Sequence, residues 1–359
     1  MINILGLSLY GPQAASHRVR LSQFQAGLYE LGIKIEINSL LEDVYLQRRF
    51  AGTNPSLLNL VNAYYKRLYF LQQARRFDLA FLYAELFPLL PACLEQRLLR
   101  IPYILDFDDA FFLKYSYGQL RCLSPLLGSK FNHLLRGAIA VTAGNVFLAD
   151  YARRFNSNVT LLPSVVDTDH YRPAPISPAA NPFTVGWIGS PTTAPFLHAL
   201  VEPLYRLAFQ YPVRLMVVGG PAPSIPGVEV IEHAWSLDQE VELIWQFTVG
   251  VMPLPETPWA LGKCAYKLVQ CMACAIPVIA SHVGANVDAV PPSCGFLARS
   301  PDDWLVAFCT LAGDPSLRKR MGAAGRQWVE DHYSLRSALP VLSGVIRNDF
   351  GNPHVVTNG

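Results

Sequence analysis

A chain of 359 residues, 51% hydrophobic and 16% charged, can bury a full core and is long enough for two domains, which excludes a disordered or fibrous polymer. A formal net charge of +2 gives no electrostatic footprint for nucleic acid. No stretch stays apolar long enough to span a bilayer, so a membrane contact would be peripheral.

From the N-terminus, MINILGLSLYG begins a strand and lacks the basic start and long apolar run of a signal peptide. The loop GPQAASHRVR follows, placing His17, Arg18 and Arg20 where a strand passes into a helix predicted over Arg18 to Leu31. Two arginines there suit a phosphate, or they simply flank the helix. Apolar runs then alternate with helical periods: IKIEI, Leu57 to Arg76, DLAFLY, Cys93 to Arg100, PYILDF, AIAVTA, Val146 to Arg154 and NVTLLP. Glu85 closes DLAFLY as a minor candidate. After PYIL, the run DFDDA bunches Asp106, Asp108 and Asp109 at a strand end. Three such carboxylates resist ionising together, which favours a base or hydrogen-bond role, while a magnesium site or a surface turn would use the same residues.

The stretch RPAPISPAANP, residues 172–182, is proline-rich and without period, and reads as a linker. Beyond it the plan repeats: FTVGWIG, a helix from Ala194 to Gln210, VRLMVVGG, VEVIE, a helix from Leu237 to Phe247, VGVMPL, a helix from Cys264 to Cys274 and IPVIAS. SPTTA, with Ser190 and Thr192 after Gly189, either caps its helix or binds a diphosphate through hydroxyls and free N–H groups. SHVGANVDAV repeats that logic with Gly284, which permits close backbone approach, and Asn286. In GKCAYKLVQCMACA, Lys263 and Lys267 stand at i, i+4 and so share a face at the start of the predicted helix. They form either a solvated basic face or an anion site at a helix N-terminus. The tail from Pro301 to Asn348 reads as three helices, with Asp314 and Ser334 as caps and Pro315 in a first turn.

Strands alternating with helices in both halves predict an α/β protein of two Rossmann-like doubly wound domains facing each other across a cleft, with ligands outside the carboxyl ends of the strands. The expected division is 1–172, a linker over 173–182, 183–333, and a C-terminal helix and tail over 334–359 that returns to the first domain. Neither half carries G-x-G-x-x-G or G-x-x-x-x-G-K-[ST], so the NAD and P-loop readings lack their residues. Seven cysteines, an odd number without secretory spacing, read as reduced core residues of a cytoplasmic protein. Cys271 and Cys274 form a CxxC inside a helical pattern, and no second pair completes a zinc site. Charge is uneven: residues 1–172 hold 18 Lys and Arg against 13 Asp and Glu, and residues 173–359 hold 11 against 14. Pairs such as Arg48-Arg49, Lys66-Arg67 and Arg75-Arg76 lie beside leucine-rich and aromatic segments, a composition that suits an anionic membrane surface as well as an ordinary solvated face.

GKCAYKLVQCMACAIPVIASHVGANVDAV resembles the glycosyltransferase family 4 segment that reads E-x7-E, then A-M-A-C-G-x-P-V-I-A-S, then a V-G-G-like turn. LLPSVVDTDHYRP resembles that family's P-N-G-V-D-x-x-x-F-x-P passage. The resemblance implies a GT-B fold and transfer of a sugar from a nucleoside diphosphate donor to a glycan, lipid-linked or small-molecule acceptor. It further implies retention of configuration and no essential metal or other cofactor. The family's two donor-binding glutamates fall on Gly262 and Gln270. Gln270 keeps the capacity to bond a ribose hydroxyl, whereas Gly262 cannot replace a carboxylate. The family's Arg and Lys for the diphosphate are absent from SPTTAPF, which leaves Lys263 and Lys267 as the expected source of that charge. The family's cleft histidine falls on Asp108. These departures also admit a degenerate relative that binds a nucleotide sugar or a partner without turnover.

Overall fold

The computed structural model describes residues 1–50, 53, 56–175 and 182–350 and forms two compact units: Met1–Ser164 together with the chain from Ala338 onward, and Val165–Ser337. The boundary between units falls at Ser164 and Val165; residues 176–181 of the expected linker lie outside the described residues.

The first unit has strands β1 Ile2–Tyr10, β2 Ile33–Leu41, β3 Leu79–Tyr83, β4 Tyr103–Phe107, β5 Ala140–Ala143 and β6 Val159–Leu161. They form one parallel sheet in the order β2-β1-β3-β4-β5-β6. β3, β4 and β5 are buried along their whole length, which is why they read as unbroken apolar runs. Its helices are α1 Ala15–Arg20, α2 Gln25–Glu30, α3 Asp43–Phe50, α4 Leu57–Leu71, α5 Ala92–Leu99, α6 Ser124–Leu127, α7 Lys130–Gly137 and α8 Val146–Arg153. The single helix expected over Arg18 to Leu31 is broken. Leu21 leaves helical dihedrals (φ −131°) to bury its side chain, a 3-10 turn Ser22–Phe24 follows, and Gly32 at φ +76° stops the chain after α2.

The second unit has β7 Phe183–Ile188, β8 Val213–Val218, β9 Glu229–His233, β10 Val249–Met252, β11 Val278–Ser281 and β12 Gly295–Ala298, all parallel, in the order β12-β11-β10-β7-β8-β9. Its helices are α9 Val201–Leu207, α10 Glu240–Ile244, α11 Pro258–Leu261, α12 Tyr266–Ala273, α13 Ala285–Ala289, α14 Pro301–Gly313 and α15 Pro315–His332. The terminal α16, Leu335–Phe350, runs from this unit into the first, where Leu339 packs against Gly27 and Arg347 donates to the Leu31 carbonyl. Asp314 and Ser334 do cap α15 and α16. The helix expected from Ala194 begins as a 3-10 segment, Ala194–Leu200, before α9.

The first sheet is tied by a buried ion pair. Arg20 Nε donates to Asp106 Oδ2 at 2.9 Å and Arg20 Nη1 to the Leu162 carbonyl at 2.9 Å, while Thr142 Oγ1 donates to Asp106 Oδ1 at 2.6 Å. Both charged side chains are fully buried. This corrects the phosphate-binding and acceptor-binding roles expected of Arg20 and Asp106: they join α1, β4, β5 and the chain after β6, out of reach of any ligand. Removing one member strands the other charge in the core, so Arg20→Met is expected to lower stability by about 3–5 kcal/mol, read as a fall in the urea midpoint at unchanged slope.

Candidate functional site

Parallel strands bring every β-to-α loop of a unit to one edge, and the polar residues of this chain collect there. In the first unit, Tyr83 ends β3 and Asp108 follows β4. The Tyr83 hydroxyl donates to Asp108 Oδ1 at 2.7 Å, and the Ser164 hydroxyl, from beyond β6, donates to Asp108 Oδ2 at 3.1 Å. Burial holds the Tyr83 phenol well above its ordinary pKa, so it stays a donor. Asp108 is therefore a half-buried carboxylate with both oxygens oriented, able to accept a further hydrogen bond from a substrate hydroxyl. Asp109 accepts the backbone N–H of Ala110 at 3.0 Å. The aspartates of DFDDA thus serve three separate tasks. Among the described residues no group of His, Cys, Asp and Glu is arranged to hold a metal ion.

His17 is buried against Ser8 Oγ, Ser39 Oγ and the Tyr10 carbonyl, 3.1–3.3 Å from its Nδ1, and burial lowers its pKa. Arg18 donates to the carbonyls of Pro12 and Gln13 at 3.0 and 2.7 Å, stitching its own loop. The two residues expected at a phosphate thus differ in setting: His17 is buried in the sheet edge, whereas Arg18 stands half-buried in the loop after β1.

Glu85, a minor candidate in the sequence, is the centre of a buried network. It pairs with Lys114 and Lys130 and accepts the Tyr115 hydroxyl at 2.8 Å, while Lys130 also pairs with Glu95 at 2.7 Å. Glu95 in turn accepts the backbone N–H groups of Leu86 and Phe87. The network fixes the loop after β3, where Ala84 and Leu89 both adopt positive φ, beside Asp108. Burial works against ionising Glu85, but the two lysines prevail and its pKa falls. Burial dominates at Glu95, which is pushed up to about 7. A carboxyl with a raised folded pKa favours the native state fully below its unfolded value and loses that contribution as pH climbs through the folded value. The stability that Glu95 contributes should therefore decline between about pH 4.5 and 7, so urea midpoints across that range should fall less, or rise more, with pH in Glu95→Gln than in the wild type.

In the second unit the connection after β10 departs from expectation. α12 begins at Tyr266, after Ala265 in the left-handed region (φ 55°), so Lys263 lies before the helix and Lys267 within it. The shared lysine face is thereby lost. Lys263 places its ammonium 5.1 Å from the ring centre of Trp259 on α11. Lys267 reaches the carboxyl end of β7, its ammonium 4.8 Å from the Trp187 ring centre and 3.2 Å from Thr193 Oγ1. Gly189 makes that approach feasible, since a Cβ there would stand 2.5 Å from Lys267 Cε. Beside it the Ser190 and Thr192 hydroxyls bond each other at 2.7 Å, and neither caps the following 3-10 segment. Gly284 (φ +55°) lies against the backbone of Leu261, and buried Asn286 donates to the Ser281 carbonyl while its Oδ1 meets no partner.

Gln270 is buried, and its amide donates at 3.0 Å to the Tyr171 hydroxyl, which donates to Glu240; Trp235 Nε1 holds the other Glu240 oxygen at 2.7 Å. The Gln270 amide, expected at a ribose, thus has one of its donors engaged by Tyr171. The same contact explains glutamine at this position: a carboxylate would face Glu240 across a phenol with one proton. Gln270→Glu is expected to lower stability by about 1–3 kcal/mol, measured by urea titration. The seven cysteines are free; Cys271 and Cys274 are buried, with burial pushing the Cys274 thiol up to about 12, but Cys93 and Cys122 are exposed and are not core residues.

Residues 182–314, which lie within the second unit and contain β7 to β12, match the family described as Glycosyl transferases group 1. No curated protein matches the chain. Among solved structures, sucrose-phosphate synthase from Thermosynechococcus elongatus is similar with a TM-score of 0.70 at 16% identity, covering 98% of this chain and 100% of that one. A glycosyltransferase from Rickettsia africae has a TM-score of 0.66 at 14% identity, with coverage of 98% and 99%. Anabaena HepE in complex with UDP-glucose has a TM-score of 0.66 at 15% identity, with coverage of 97% and 100%. The fold is that of the GT-B glycosyltransferases, and the likeness to glycosyl transferases group 1 lies within the second unit.

Proposed function

We propose that this protein is a glycosyltransferase of the family 4 type that moves a sugar from a nucleoside diphosphate sugar to a hydroxyl of a glycan, lipid-linked or small-molecule acceptor, with retention of configuration. The observation that carries the reading is Lys267, held by Trp187 and Thr193 at the carboxyl end of β7 inside the group 1 domain. Breaking the anomeric C–O bond leaves an electron pair and growing negative charge on the diphosphate. An ammonium fixed beforehand stabilises that charge without reorganising. The loop carrying Gly189, Ser190 and Thr192 and the turn carrying Gly284 and Asn286 are the backbone approaches for the donor. Asp108, oriented by Tyr83 and Ser164, accepts a hydrogen bond from a substrate hydroxyl in the first unit. No metal or other cofactor is assigned a step. The protein acts in the cytoplasm, with the first unit in peripheral contact with the inner face of the membrane.

A second reading, a binder without turnover, is favoured by Gly262 in place of a carboxylate and by the engagement of Gln270 with Tyr171. Binding and turnover separate the two. UDP and UDP-glucose are the first ligands to try, because HepE was solved with both; GDP and ADP sugars complete the panel. A matching diphosphate should raise the melting temperature. Lys267→Ala is expected to lower kcat by about 100-fold or more while weakening donor binding less, with Lys263→Ala milder and Asp108→Asn lowering kcat at unchanged fold. Unchanged kinetics in Lys267→Ala would remove the leaving-group role, and saturable binding with no product from any acceptor would favour the binder.

A further inference from the structure

α4 buries only part of its apolar surface. Its inward stripe carries Leu60, Tyr64, Arg67 and Leu71, and Arg67 is 1% exposed. The Arg67 guanidinium donates to the Ser8 carbonyl at 2.7 Å and the Asn38 carbonyl at 2.9 Å, at the ends of β1 and β2. Tyr64 donates inward to the Pro88 carbonyl at 2.6 Å. These bonds fix the rotation of the helix about its axis. As a result its outward arc consists of Leu57, Leu58, Val61, Tyr65, Leu68 and Tyr69, with Leu58 80% and Tyr65 67% exposed. Their spacing, i, i+1, i+4, i+8, i+11 and i+12, makes one continuous stripe about 18 Å long. Rolling the helix to bury the stripe would break the Arg67 bonds and expose two carbonyls, so the apolar face is held outward by the fold.

What this face meets is indicated by its surroundings. α3 and α4 border a groove of about 190 Å³ that carries Tyr45, Arg48, Asn62 and Lys66, with Glu42 paired to Lys66 at its rim. That exposed pair is weak and yields readily to a competing anion. Residues 43–76 as a whole hold six Lys and Arg against a single Asp. Leucines and valine beside amphipathic tyrosines, next to a cationic groove, match the boundary of an anionic bilayer, where acyl chains and headgroup phosphates lie side by side. Among the described residues no helix is long and apolar enough to cross a membrane, so this helix would lie along the surface.

We infer that α4 docks the first unit on an anionic phospholipid surface, its outward stripe entering the acyl boundary and a lipid phosphate entering the groove at Arg48 and Lys66. This deepens the peripheral contact proposed above and rests on that reading. The test is cosedimentation of the full chain with phosphatidylcholine vesicles, with and without phosphatidylglycerol. The wild type should partition onto the phosphatidylglycerol vesicles, less so in high salt. Leu58→Ser/Val61→Ser/Tyr65→Ser, whose side chains face outward, should lose about tenfold or more in partitioning at an unchanged melting temperature. Arg48→Ala should weaken binding only to the anionic vesicles. Equal partitioning of wild type and triple variant, or none by the wild type, overturns the inference. So does a wild-type dimer in sedimentation that the triple variant turns into a monomer, because the stripe would then belong to a second copy. Nucleotide-dependent melting shifts and turnover on a soluble acceptor, measured in parallel, report on the transferase reading separately, so either can fail without the other.

Discussion

Every strand in both sheets runs parallel, so every loop that can carry chemistry leaves its unit at one edge, and each strand end brings polar groups to the margin of an apolar core. The constraint is electrostatic as much as topological: a buried polar atom without a partner costs roughly as much as the hydrogen bond it lacks. The chain meets it by pairing. Arg20 with Asp106, Lys130 with Glu85 and Glu95, and Tyr171 with Glu240 and Gln270 each join elements far apart in sequence. Residues outside those pairings, such as Asp108 and Lys267, are held in place by donors and ring faces while remaining only half buried.

The same constraint accounts for where Lys267 and Gln270 stand. Lys267 reaches the end of β7 because Ala265 turns the chain through the left-handed region before α12 and Gly189 leaves space for its stem. A cation arriving from α12 can stand where the loop after β7 carries none. Gln270 is neutral because the phenol beside it already serves Glu240. The loops of the first unit are fixed by charge too, since the network around Glu85 holds positive-φ residues that an isolated loop would avoid.

Much of this architecture is legible in the sequence. Six strands of the first unit and five of the second stand out in the sequence, the inner ones as unbroken apolar runs, because strands buried on both faces have no need of alternation. The short edge strand β12, GFLA, has too few apolar residues to be distinguished from a loop. Helix ends with a chemical marker, Asp314 and Ser334, are recognisable, whereas the break at Leu21 has none: it comes from the fit of one leucine into a core made by distant residues. For the site, the sequence places polar clusters at strand ends but cannot say which members are consumed internally. Arg20 and Arg18 look alike in GPQAASHRVR, as do Asp106 and Asp108 in DFDDA.

By itself, then, the sequence determined the alternation of strand and helix, the two doubly wound units and the loops in which function would sit. Those follow from local periodicity and from where apolar runs stop. Only the tertiary structure decided that Asp106 is a core ion pair and Asp108 a presented carboxylate, that Lys263 stands before α12 and Lys267 within it, and that α4 turns its arginine inward while Leu57, Leu58 and Leu68 face outward. Each of those outcomes depends on a partner remote in the chain, Arg20, Trp187 or the carbonyls of Ser8 and Asn38, and a hydrogen bond between distant residues leaves no period in the sequence that could announce it.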